Sequence, residues 1–122
     1  MVAPDLVFDT HAALERVDQD KELLLELCQM FFAQQDASLS ALQSALRADD
    51  LASARELSHS MKSALGNLGA MQAYRIAQQI ELSCKEEQGA AAREAVHSFE
   101  LALADFRKAV DLEFSSHVKS ES

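Results

Sequence analysis

The side chains best suited to chemistry gather around His59. Residues on an α-helix advance by about 100° each, which puts Gly66 about 20° from His59, Arg55 and Ser63 about 40°, and Glu56 and Lys62 about 60°. The apolar Met61 lies about 160° round the same helix, so this patch turns toward solvent and not toward the core. A lone helical histidine is ordinarily a hydrogen-bonded core residue or an idle surface one. The position opposite Met61 argues against the first. Against the second stand Ser63 and Gly66, one and two turns on, whose small size leaves a clearing over the imidazole with Arg55 and Lys62 at its rim. Histidine is largely neutral at cytosolic pH, so a ring nitrogen is an available nucleophile that needs no dedicated base. Phosphoryl transfer asks for little beyond such a nucleophile, positioning, and cancellation of charge on the equatorial oxygens. At about 6 Å in water one pair of unit charges contributes only about 0.7 kcal/mol before screening, so neither cation decides the chemistry and the histidine does.

Other chemistry-bearing residues fit less well. Glu56-x-x-His59 and Glu94-x-x-His97 repeat the spacing of di-iron carboxylate bundles. Those sites need both pairs turned inward and a glutamate from each of two further helices, whereas Glu56 and His59 oppose the apolar stripe and His97 falls on a polar face. No metal is expected. Cys28 and Cys84 sit in apolar helical contexts without a CxxC or Cys/His cluster and read as reduced core thiols. His11, His97 and His117 lack the small neighbour and the cation and read as surface residues. No Gly-rich phosphate loop is present, so an ATP site and autonomous kinase activity are not expected.

The elements that must position His59 are helices. From Asp20 to Arg47 there is neither Gly nor Pro, and Leu24, Leu27, Phe31, Ser38, Leu42 and Ala45 recur at helical spacing. Leu51, Ala54, Ser58, Met61, Leu65 and Leu68 continue the pattern after the Asp49-Asp50 break; Ala73, Ile76, Ala77, Ile80 and Cys84 carry it to Gly89; Phe99, Leu103, Phe106, Val110 and Phe114 close it. These stripes predict an all-α, antiparallel up-down-up-down four-helix bundle with helices at about 20–47, 50–68, 70–88 and 90–114, a short extra N-terminal helix at about 9–17 and a frayed tail at 115–122, all in a single domain over 1–122. Composition agrees: the 122 residues are 48% apolar and 25% charged with 3 Gly, 1 Pro and no Trp, which disfavours turn-rich β folds and disorder. A net charge of −9 repels nucleic acid and anionic lipid. With no stretch of about 20 apolar residues and no signal-peptide pattern in Met1-Val2-Ala3-Pro4-Asp5, neither membrane nor export is expected, and a cytoplasmic monomer is.

The run His59-Ser60-Met61-Lys62-Ser63-Ala64-Leu65-Gly66-Asn67-Leu68-Gly69-Ala70 resembles the signature of histidine-containing phosphotransfer (HPt) domains, which reads H-x-x-K-G, a stretch of small residues, then N-L-G-A. The likeness extends to the Phe8-Asp9 opening, the Asp20-Lys21-Glu22-Leu23-Leu24 helix start and the Gly89 joint. It implies that His59 is phosphorylated on Nε2, that Lys62 stabilises the phosphoryl group, and that the chain is a phosphorelay carrier. Such a carrier takes the group from a receiver-domain aspartate and passes it to another response-regulator receiver, in two-component signalling with a hybrid sensor histidine kinase. Mg²⁺ and the acidic pocket would come from the receiver, leaving the chain itself without a cofactor. Docking would use the exposed His59 face, with Arg55, Glu56, Ser63 and Gly66, and adjoining apolar residues of the first long helix. Phe32 is the candidate there, the core being its other possible place. Ser63 departs from the family's glycine: it keeps most of the clearance and adds a hydroxyl, which bears on transfer rate and partner choice. A non-catalytic adaptor that docks on receivers or kinases without phosphotransfer is the alternative, and retention of both His59 and Lys62 speaks against it.

Overall fold

Aspartates start the first three helices. In the computed structural model, which describes residues 6–115, the side chains of Asp9, Asp20 and Asp50 each accept a hydrogen bond from the backbone N–H three residues on, at 3.1, 3.1 and 3.2 Å. These caps open α1 (Thr10–Arg16), α2 (Lys21–Arg47) and α3 (Leu51–Asn67). The remaining helices, α4 (Met71–Lys85) and α5 (Gly89–Glu113), start without a side-chain cap. No strand occurs among the described residues, so the fold is all-helical.

One device ends each of the first four helices. A residue with left-handed φ follows the cap, and the next N–H reaches back to close a Schellman motif: Gln19 to the Leu14 carbonyl (2.8 Å), Asp50 to Ala45 (2.8 Å), Ala70 to Leu65 (3.0 Å) and Gln88 to Ser83 (2.7 Å). The left-handed residues that follow the caps are Asp18, Asp49, Gly69 and Glu87, and Gln19 after Asp18 is left-handed as well. This corrects the expectation that α4 runs to Gln88 and stops at Gly89. Glu87, at φ 58°, turns the chain first, and α4 ends at Lys85. Gly89 becomes the first residue of α5, where a Cβ would lie 2.9 Å from Asp49 Oδ1. There the missing side chain serves close approach of the α2–α3 turn.

The helices neighbour one another in chain order, and α5 closes back on α2. The inward stripe of α5 supplies much of the core, with Phe99, Leu103 and Phe106 fully buried. Phe106 is the meeting point of three segments. Its ring lies 5.6 Å from Phe8, 6.3 Å from Phe31 and 5.4 Å from Phe32, tying the N-terminal segment and α2 to α5. The α3–α4 pair is the most extensive, and its inward positions are small: Ala54, Ser58, Ala73 and Ala77 are all buried. Small residues at a helix crossing shorten the interaxial distance, which brings side chains on the flanks of the two helices into reach of each other. Ser58 is satisfied within its own helix, its Oγ donating to the Ala54 carbonyl at 2.9 Å.

The N-terminal segment docks on the α3–α4 turn. Asp9 N–H donates to the Gly69 carbonyl at 2.7 Å and Gln72 N–H to that of Leu6 at 2.9 Å. Gly69 has φ +75°, and a Cβ there would fall 2.5 Å from the Asp9 carbonyl oxygen, so both backbone and contact require glycine. No helix among the described residues is long and apolar enough to cross a membrane. The expectations for Met1–Asp5, for His117 and for the tail beyond Ser115 lie outside the described residues.

Candidate functional site

The α3–α4 hairpin sets up the site by a simple register. Gly66 faces the ring of Tyr74, and His59 contacts Glu81; each pair lies equally far on either side of Ala70 in the turn. An antiparallel hairpin pivoting there carries residues of α4 to the flank of His59.

His59 is exposed on α3, with 60% of its side chain accessible. Its Nδ1 lies 2.6 Å from Glu81 Oε2, while Lys62 Nζ donates to Glu81 Oε1 at 2.5 Å. One carboxylate therefore holds both residues, with an oxygen for each. The Glu81 and Lys62 side chains are only 18% and 17% exposed, in contrast to the surface pair His11–Glu15 at 85% and 62%. An exposed helical pair of that second kind contributes about 0.3–0.5 kcal/mol, whereas a sheltered, doubly bonded carboxylate interacts in lower dielectric and holds geometry. Burial pushes the Glu81 carboxyl up, but hydrogen bonds from Lys62 and His59, aided by their charges, outweigh it and hold the group below the ordinary carboxylate value. Glu81 is thus ionised at neutral pH. A carboxylate beside Nδ1 accepts the Nδ1–H and selects the tautomer with its lone pair on Nε2.

Several expectations change in this light. His59 has an acidic partner that the face of α3 alone does not reveal, because Glu81 lies 22 positions away. Lys62 is drawn toward α4 and sheltered, not open at the rim. Gly66 is half-buried, and a Cβ would meet Tyr74 Cδ2 at 3.1 Å, so its missing side chain accommodates α4 and opens no clearing. Phe32 is half-buried in the aromatic cluster on α5, with the Arg107 guanidinium 5.2 Å from its ring centre. Its neighbour Phe31 instead lines a groove of about 670 Å³ between α2 and α3, together with Leu27, Met30, Met61, Ala64 and Leu68. Arg55, Glu56 and Ser63 are exposed as expected. Glu94 and His97 are exposed on α5, and no three metal-ligating side chains gather among the described residues.

Cys28 and Cys84 are buried and unpaired. Burial pushes the Cys28 thiol up to about 12 and raises that of Cys84, so neither is a ready nucleophile.

The arrangement offers a nucleophilic nitrogen on an exposed ring, held by a carboxylate that also keeps a cation nearby. No curated protein and no solved structure matches the chain. The family model described as Hpt domain matches residues 26–109, more than half of the sequence, and spans α2 from Glu26 through all of α3 and α4 into α5. With His59, Lys62 and Glu81 inside that span, the chain belongs to the Hpt domain family, the phosphotransfer domains of two-component signalling.

Proposed function

We propose that the protein is a phosphorelay carrier in which His59 takes a phosphoryl group from the aspartate of one receiver domain and passes it to the aspartate of another. The observation that carries this reading is the 2.6 Å contact of His59 Nδ1 with Glu81. It leaves Nε2 as the nitrogen for a partner. In the forward step the Nε2 lone pair attacks phosphorus, the N–P bond forms, the P–O bond of the acyl phosphate breaks, and the receiver's aspartate leaves as a carboxylate. Nδ1 keeps its proton, so the phosphorylated ring is cationic and faces the Glu81 carboxylate. The return step reverses each bond change, and the ring regains its Nε2 lone pair. Lys62, one turn from His59 and on the same carboxylate, is placed to move onto the phosphoryl oxygens. The receiver supplies Mg²⁺ and the acidic pocket that holds it.

Arg55, Glu56 and Ser63 form the exposed rim that meets the receiver, and the apolar groove between α2 and α3 takes its apolar surface. The partners are receiver domains of response regulators and of a hybrid sensor histidine kinase, met in the cytoplasm by a monomer. An antiparallel up-down-up-down order of α2 to α5 is the arrangement that the short turns favour.

The test is transfer from a panel of phosphorylated receivers with Mg²⁺, comparing wild type with His59→Gln. Wild type should acquire an acid-labile, alkali-stable label that His59→Gln lacks. If a receiver binds but none labels the wild type, the chain is a docking adaptor.

A further inference from the structure

His59 stands between two unlike surfaces. On the α2 side lies the apolar groove. On the α4 side is a concavity of about 460 Å³ lined by Arg55, Lys62, Arg75 and Lys85, with Glu81 and the half-exposed Leu82. A second concavity, of about 480 Å³, holds His59 and shares Arg55 and Glu81 with the first, so the two are continuous. Among the described residues, four basic side chains and one acidic one line the α4 groove, and the lobe that holds His59 adds the acidic Glu56. Glu86 and Glu87 follow Lys85 in the chain but lie outside that lining.

We propose that this basic groove receives the acidic rim around a receiver's phosphorylation site, orienting the receiver on α3 and α4 and speeding its arrival. The inference rests on the relay reading above and adds a second contact surface with residues of its own. An aspartyl phosphate beside metal-binding carboxylates makes an acidic surface, which the net charge of −9 repels at long range. At physiological ionic strength that repulsion is screened beyond about 8 Å, so the charges at the contact decide the encounter. Along α4 that surface is predominantly basic. Arg75 and Lys85 extend the cationic surface along α4 beyond Arg55 and Lys62, so a partner must lie across α4 to meet all four. Complementary charge of this kind raises association rates and fixes register more than it adds raw affinity.

The double variant Arg75→Glu/Lys85→Glu in the full chain tests this, with transfer from a phosphorylated receiver and binding of fluorescently labelled receiver each measured at low and high salt. The half-saturating receiver concentration should rise at least about fivefold at about 50 mM salt and less than about twofold at about 500 mM, where the Debye length has shrunk to a few ångströms. The binding curves should shift in parallel. No shift, or the same shift at both salts, overturns the proposal. Arg75→Gln/Lys85→Gln should show a smaller shift of the same salt dependence, and decides the matter if circular dichroism shows that the reversed variant is unfolded. A wild type that binds receiver but is never labelled sinks the relay reading while the binding curves still decide the groove. If no receiver binds wild type, the groove proposal falls with it.

Discussion

Glu81 is the residue on which the site turns, because one carboxylate sets both the His59 tautomer and the place of Lys62. Glu81→Gln keeps an oxygen for Nδ1–H and removes the charge that faces the cationic phospho-ring. Transfer from a phosphorylated receiver should slow about tenfold, equivalent to about 1.4 kcal/mol in the barrier, while the label remains on His59. An undiminished rate would show that the carboxylate positions without stabilising. The same group affects acid stability. Its native value lies below the ordinary 4.5, so its contribution is complete above pH 4.5 and is lost as the pH falls through the lower native value. The wild-type melting temperature should therefore fall more steeply below pH 4.5 than that of Glu81→Gln. Melting curves from pH 6 to pH 3 would read the difference.

At the scale of elements, the four helix ends show where backbone conformation and side-chain type disagree. A left-handed residue other than glycine costs about 1–2 kcal/mol, partly offset in a comparison with glycine by the freedom glycine gains on unfolding. Glu87 is exposed at φ 58°, with no side-chain contact to lose among those described. Glu87→Gly should stabilise the chain by about 0.5–1 kcal/mol, read as a rise in urea midpoint at unchanged m. Gly69→Ala is the counter-case, since its Cβ would strike the Asp9 carbonyl; it should cost about 2–3 kcal/mol and loosen residues 6–9 from the turn. Asp49 resembles Glu87 in φ, but its carboxylate lies 3.5 Å from Arg93 Nη1, so glycine there would surrender an ion pair as well.

Across the whole molecule, α5 runs against both α2 and α4 and holds the hairpin to the rest of the bundle. Cys28 on α2 is fully buried and Cys84 on α4 nearly so. Both thiols should react with a thiol reagent at the rate of global unfolding, and the rate should rise with urea. Rapid labelling of the native protein would mean that one of these helices opens locally. The −9 net charge and the basic groove belong to the same scale: the overall field is negative, yet the groove along α4 is lined mainly by cations. Total charge therefore does not describe the docking face.

Features governed by local rules were legible in the residues alone. Helical periodicity marked the apolar stripes, the Asp49-Asp50 break separated two of them, and the 100° step showed that His59 opposes Met61. The Hpt signature is likewise contiguous along one helix and its turn. Helix ends were legible only in part, because a glycine signals both a left-handed turn and a close approach; Gly89 serves the second, and Glu87 makes the turn. Glu81, the sheltering of Lys62, the packing of Gly66 against Tyr74, and the choice of Phe31 over Phe32 for the groove were decided by tertiary structure alone. Each depends on the register between two helices, and the periodicity of one helix contains no term for where its neighbour lies. Pivoting the α3–α4 hairpin about Ala70 supplies that term, placing Tyr74 opposite Gly66 and Glu81 opposite His59.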